Sequence, residues 1–203
     1  MSKSDLSSKE MLDHLTRMRR NGRSYKTACI YLNEICTALR SSEDWYNHNL
    51  AVAEIMARIA PKGQSDAWYN TGLLYRVPDM WDIGYADQNR VVLGSLMTKA
   101  GFKQDAVSCV RQYRNYDETY GWNPITAALV FADTHVTEEG EIMTSETCCS
   151  FNDRNHPDNK GRCTMCMYAK YYLSKSGVLE ACEERLSELK SEVDRKQKSG
   201  REA

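Results

Sequence analysis

Apolar residues recur along most of this chain at steps of three and four, and no stretch shows the period of two that a half-buried strand requires. That spacing commits the chain to amphipathic helices whose apolar stripes must bury one another, so the expected fold class is all-α. Met11, Leu12, Leu15 and Met18 predict a first helix ending near Asn21-Gly22. Ser24 can cap a second, with the stripe Ala28, Cys29, Leu32, Ile35, Cys36 and Leu39. Ser41-Ser42 open a third, running to about Ala60, and a fourth covers about Asp66 to Leu74. Pro78 and Gly84 predict a loop over 76–88. Further helices are expected over Asn89 to Ala100, Gln104 to Tyr113, and Pro124 to Thr134, where Pro124 suits a first helical position. The last spans Thr164 to Lys198 with a break near Ser176-Gly177.

With 203 residues, 41% of them hydrophobic, the chain can build one sizeable helical core with a small appendage. The patterning suggests an N-terminal helical extension (1–40), a central helical domain (41–136) and a cysteine-rich segment with a long C-terminal helix (137–203). A net charge of -1 argues against a whole-protein nucleic-acid binder. Residues 1–40 nevertheless carry a local excess of +4, so a nucleic-acid contact through Arg17, Arg19 and Arg20 is the weaker alternative to a solvated basic face. Met1 to Glu10 has no apolar signal-like core, and no segment approaches the roughly 20 apolar residues that cross a membrane. The expected location is the cytoplasm, where the eight cysteines stay reduced and serve as buried thiols or metal ligands.

Two polar residues stand on apolar faces. Val52, Ile55 and Ile59 follow His48 at helical steps, and Asp133 lies four residues after Leu129 and eight after Ile125. An inward carboxylate needs a partner, because desolvating an unpaired charge is costly. An inward His and an inward Asp predict a polar centre inside the bundle. Spacing leaves open whether that centre is a metal site or a hydrogen-bonded core.

Four fragments carry a family resemblance. They are His48-Asn-Leu-Ala-Val52-Ala53-Glu54, Thr71-Gly72-Leu73-Leu74, Gly94-Ser95-Leu96-Met97 and Ala127-Ala128-Leu129-Val130-Phe131-Ala132-Asp133. In this order, over about 42–136, they resemble the HD-domain metal-dependent phosphohydrolases. The resemblance implies that His48 and Asp133 are the first and last metal ligands, and that a His-Asp pair should stand where this chain has Tyr75-Arg76. Tyr is a poor ligand at neutral pH and Arg has no lone pair to offer. Further ligand positions of bimetallic members hold Gln88, Asn89 or Arg90, and Tyr113 or Arg114.

The expectation is therefore an HD-like fold with a degenerate site, in which Arg76 fills the metal's place and pairs with Asp133. Arg76, Arg90, Arg111 and Arg114 would leave the old cleft positive, suited to a nucleotide or another phosphate ligand. The leading function is a binding or regulatory module for such a ligand or for a protein. The alternative is an active phosphohydrolase with substituted ligands, Asp79 or Asp82 swinging in to hold the metal.

The C-terminal segment carries a separate signal. Cys148-Cys149, His156 and Cys163-Thr-Met-Cys166 have the types and spacing of a small structural zinc site. The ligands expected are Cys163, Cys166, one or both of Cys148 and Cys149, and His156 if only one of that pair ligates. Leu179, Cys182, Leu186, Leu189 and Val193 form a short heptad seam, either packed on the bundle or joining two copies of the chain.

Overall fold

The computed structural model describes residues 6–21, 25–39, 42–81, 86–113, 122–145, 148 and 160–201; the side chains of 21, 25–29, 86, 160–163, 200 and 201 lie outside that description. Among the described residues the fold is helical, with no strand beyond one antiparallel bridge between Val136 and Ile142. The helices are α1 (Ser8–Asn21), α2 (Tyr25–Ala38), α3 (Glu43–Ile59), α4 (Ser65–Leu74), α5 (Val77–Met80), α6 (Ala86–Ala100), α7 (Gln104–Gln112), α8 (Pro124–Thr134), α9 (Lys160–Lys175) and α10 (Leu179–Arg201). None of them is long and apolar enough to cross a membrane.

Local chemistry sets most of the boundaries. Ser7 and Glu10 form a capping box at α1: Glu10 Oε2 accepts from the Ser7 amide at 2.9 Å and the Glu10 amide donates to Ser7 Oγ at 3.3 Å. Ser42 Oγ accepts from the Trp45 amide, and Asn123 Oδ1 accepts from the Thr126 amide in front of Pro124. The expected loop after Tyr75-Arg76 is in part the one-turn helix α5. Pro78 falls in its first turn, where a missing amide hydrogen costs nothing. Gly177, at φ 68°, makes the anticipated break between α9 and α10.

One apolar core runs from Leu6 in front of α1 to Leu189 in α10. Its closest helix pair is α3 with α4. A Cβ on Gly72 would stand 2.6 Å from the Ala53 Cα, so only glycine permits this approach. The seam of α10 is used inside the chain: Cys182, Leu186 and Leu189 are buried in the core, and Arg58 of α3 holds Glu192 at 2.7 Å.

Candidate functional site

The close approach of α3 and α4 carries Tyr75, just past the end of α4, to His48 on α3. Helix α8 brings Asp133 to the same point. His48 Nε2 lies 2.8 Å from the Tyr75 hydroxyl and 3.0 Å from Asp133 Oδ1. The Tyr75 hydroxyl donates to that same Oδ1 at 2.5 Å, and the Tyr113 hydroxyl donates to Oδ2 at 3.0 Å. On its other side, His48 Nδ1–H donates to the Thr137 carbonyl at 2.7 Å. That carbonyl belongs to a turn pressed on α3: Gly140 is left-handed at φ 89°, and a Cβ there would meet the Asn47 backbone at 2.7 Å.

The centre is nearly closed. The His48 side chain is 1% exposed and that of Asp133 17%. Tyr75 gives its single proton to Asp133. Burial, reinforced by the Asp133 carboxylate, pushes the Tyr75 phenol well above its ordinary range, so no phenolate arises there near neutral pH. A divalent ion between His48 and Asp133 would have to displace two neutral phenols that already satisfy the carboxylate.

The group that joins His48 and Asp133 is therefore Tyr75, not Arg76 as expected from sequence. Arg76 turns aside, its guanidinium 4.7 Å from the Trp45 ring centroid and its Nη1 3.5 Å from Glu138 Oε2. Burial alone would lower its pKa, but Tyr75 and the Asp133 and Glu138 carboxylates outweigh that and hold its charge. Arg90 is enclosed: it pairs with Asp79, donates to the Tyr75 carbonyl at 3.4 Å, and lies over the Tyr113 ring. This pairing engages Asp79, the anticipated substitute ligand; Asp82 is outside the described residues. Arg111 packs along Gly94 and donates to Ser95 Oγ at 3.1 Å. Arg114 is outside the described residues. Asn89 donates to the carbonyls of Pro78 and Trp81, and Gln88 is exposed. In the basic N-terminal region Arg17 pairs with Glu34 at 2.8 Å, Arg19 donates from Nε to the Gly101 carbonyl at 2.9 Å, and Arg20 is exposed.

A second cluster lies beyond the end of α8. Ligand atoms of His135, Cys148 and Cys166 lie within 4.8 Å of one another, and all three residues are buried. These residues could hold a metal ion. His135 Nδ1–H donates to the Phe131 carbonyl at 2.6 Å, which leaves Nε2, 3.4 Å from Ser145 Oγ, with the lone pair. Cys148 donates to the Thr134 carbonyl at 3.0 Å. The neighbouring Cys148 side chain lowers the Cys166 thiol to about 6, which favours the thiolate form that binds soft metals.

Two of the anticipated metal ligands, Cys148 and Cys166, thus come together. Cys149 and His156 are outside the described residues, as is the side chain of Cys163, whose backbone lies in α9 three residues before Cys166. The histidine that joins the pair is His135, which spacing did not single out. The available signal was its place two residues after Asp133, where a helix end turns the chain toward Cys148. Tyr113 stands out in the sequence only as a position where bimetallic members of the resembled family place a ligand, and Thr137 only as a loop residue. No protein-family model, curated protein or solved structure matches this chain.

Proposed function

We propose that the chain is an HD-like, non-hydrolytic binding module. One observation carries this reading: the Tyr75 hydroxyl bonds both His48 and Asp133, the two residues that the HD resemblance assigns to metal. A phosphohydrolase of that class needs a bound ion to generate hydroxide and to steady phosphoryl charge. Here the imidazole, the carboxylate and two phenols satisfy one another, and the centre acts as a polar joint between α3, α4 and α8. The nearby charged group is Arg76, and the ligand chemistry it suits is a phosphate-bearing compound or an acidic protein surface.

The Cys/His cluster is read as a structural zinc site. His135, Cys148 and Cys166 supply three ligands, and the sequence offers Cys163, Cys149 or His156 as the fourth. Zinc would tie α8 to α9, a folding role rather than a catalytic one.

Rebuilding the missing pair tests the module reading. The double variant Tyr75→His/Arg76→Asp should gain a divalent ion that the parent lacks, and that gain should vanish on adding His48→Ala. Parent protein should carry about one zinc per chain, lost in Cys166→Ser, and release no phosphate from nucleotides with Mg or Mn. Hydrolysis by the parent that depends on His48 would overturn the reading, as would a second resident ion removed by His48→Ala.

A further inference from the structure

Helices α3 and α10 lie antiparallel and meet closely at one end only. There Arg58 holds Glu192, and Arg185 donates to the carbonyls of Arg58 and Ala60. Toward the start of α3 and the end of α10 a cleft of about 540 Å³ opens between them, with residues 139–142 of the turn after α8 as its third wall. Its floor is apolar: Leu50 and Ala51 come from α3, Ile142 from the turn, and Leu189 and Val193 from α10. Leu50 and Val193 are only half-buried, so large apolar side chains face the opening.

The walls are net negative. Glu54, Glu139, Glu141 and Asp194 line the cleft against two ammonium groups, Lys190 and Lys196. Lys190 is committed to Asp194 at 2.6 Å, and Lys196 is exposed. The turn adds two carboxylates to the cleft and no base. Glu54 is half-buried, and the charges acting on it are Lys196 and Arg58, which already holds Glu192. The Tyr69 hydroxyl also gives it a hydrogen bond. Burial outweighs all three and lifts the Glu54 carboxyl above its ordinary range, so a further cation beside it would be stabilising.

We propose that this cleft binds a small organic cation, its apolar body on Leu50, Ile142 and Val193 and its ammonium group donating to Glu54. Size and charge together decide the class. Sites that enclose drug-sized molecules measure roughly 300–1,000 Å³, and this cleft falls within that range. Covering the apolar floor supplies the binding, and a charge-assisted hydrogen bond to a half-buried carboxylate supplies the sign. An anion of the same shape would meet like charge, and a bare metal ion would leave the floor uncovered. The proposal does not depend on the HD-like centre or on zinc.

Three probes of one shape test it on the full chain at constant ionic strength, by calorimetry and thermal unfolding: 2-phenylethylammonium, neutral 2-phenylethanol and the 3-phenylpropionate anion. The ammonium probe should bind saturably and raise the unfolding temperature. The alcohol should bind about tenfold more weakly, the scale of one hydrogen bond to a charged group, and the anion not at all. Glu54→Gln should bring the ammonium probe down to the level of the alcohol and leave the alcohol unchanged. Val193→Arg, which fills the floor and adds positive charge, should abolish both. Glu139 and Glu141 are exposed, so Glu139→Gln/Glu141→Gln, expected to weaken the ammonium probe about two- to threefold, keeps the test valid if the other variants fail to fold. No saturable binding of the ammonium probe, equal affinity for all three probes, or affinity unchanged in Glu54→Gln overturns the proposal. So does a dimer in sedimentation that Val193→Arg dissociates and the ammonium probe does not affect, which assigns the cleft to a second copy of the chain.

Discussion

The Tyr75 hydroxyl donates to Asp133 Oδ1 at 2.5 Å while standing 2.8 Å from His48 Nε2, so a single phenol joins the two inward polar residues of α3 and α8. Tyr113 closes the other carboxylate oxygen. Tyr75→Phe keeps the ring and removes the joint. With Asp133 losing a donor inside a nearly closed centre, unfolding stability should fall by about 1–3 kcal/mol. Urea unfolding of the variant checks this; an unchanged midpoint would show that the contact contributes nothing.

Gly72 lets α4 lie on the α3 backbone at Ala53. Gly72→Ala adds a methyl where backbone, not a flexible side chain, must yield. A loss of about 1–3 kcal/mol is expected from overpacking. The shift should reach the polar centre, so chemical shifts of the His48 and Tyr75 rings should move in NMR spectra. Equal stability and unmoved rings would show that the helices can separate freely.

Burial raises the Cys109 thiol from about 9 to about 12 and the Cys182 thiol to about 11. A raised folded pKa means that the native state keeps a proton the unfolded chain releases. Stability from these thiols is thus complete below pH 9 and declines as pH climbs through 9 toward 11 and 12, each group contributing about 1.4 kcal/mol per pH unit. Tyr75 adds to the decline above its ordinary value of 10. Cys109→Ala should flatten the slope between pH 9 and 10.5 by one group's share, read from denaturant midpoints. A slope matching the parent's would contradict the buried-thiol account.

Leu186 is 1% exposed where α10 lies on the core. Leu186→Ala should cost about 2–5 kcal/mol through the cavity it leaves. Because the seam is buried within one chain, the parent's unfolding midpoint should not depend on protein concentration. A midpoint rising with concentration would place the seam between copies instead.

Most of the helices, the opening of α3 at Ser42 and the break at Gly177 were legible in the sequence because each depends on neighbours three or four residues away, whereas the short α5 was not. Ser42 and Pro124 act locally, and the stripes of α1, α3 and α10 declare which faces are buried. The inward positions of His48 and Asp133 followed from the same periodicity. Their partners did not. Tyr75 reaches Asp133 across 58 residues, and His135 meets Cys148 and Cys166 across the join of α8 and α9. Neither could be read from spacing, since the position of a side chain tip depends on how closely two helix axes approach. Periodicity chose the elements and their buried faces. The approach of Gly72 to Ala53, and the turn that hands Thr137 to His48, chose tyrosine over arginine as the group that closes the centre.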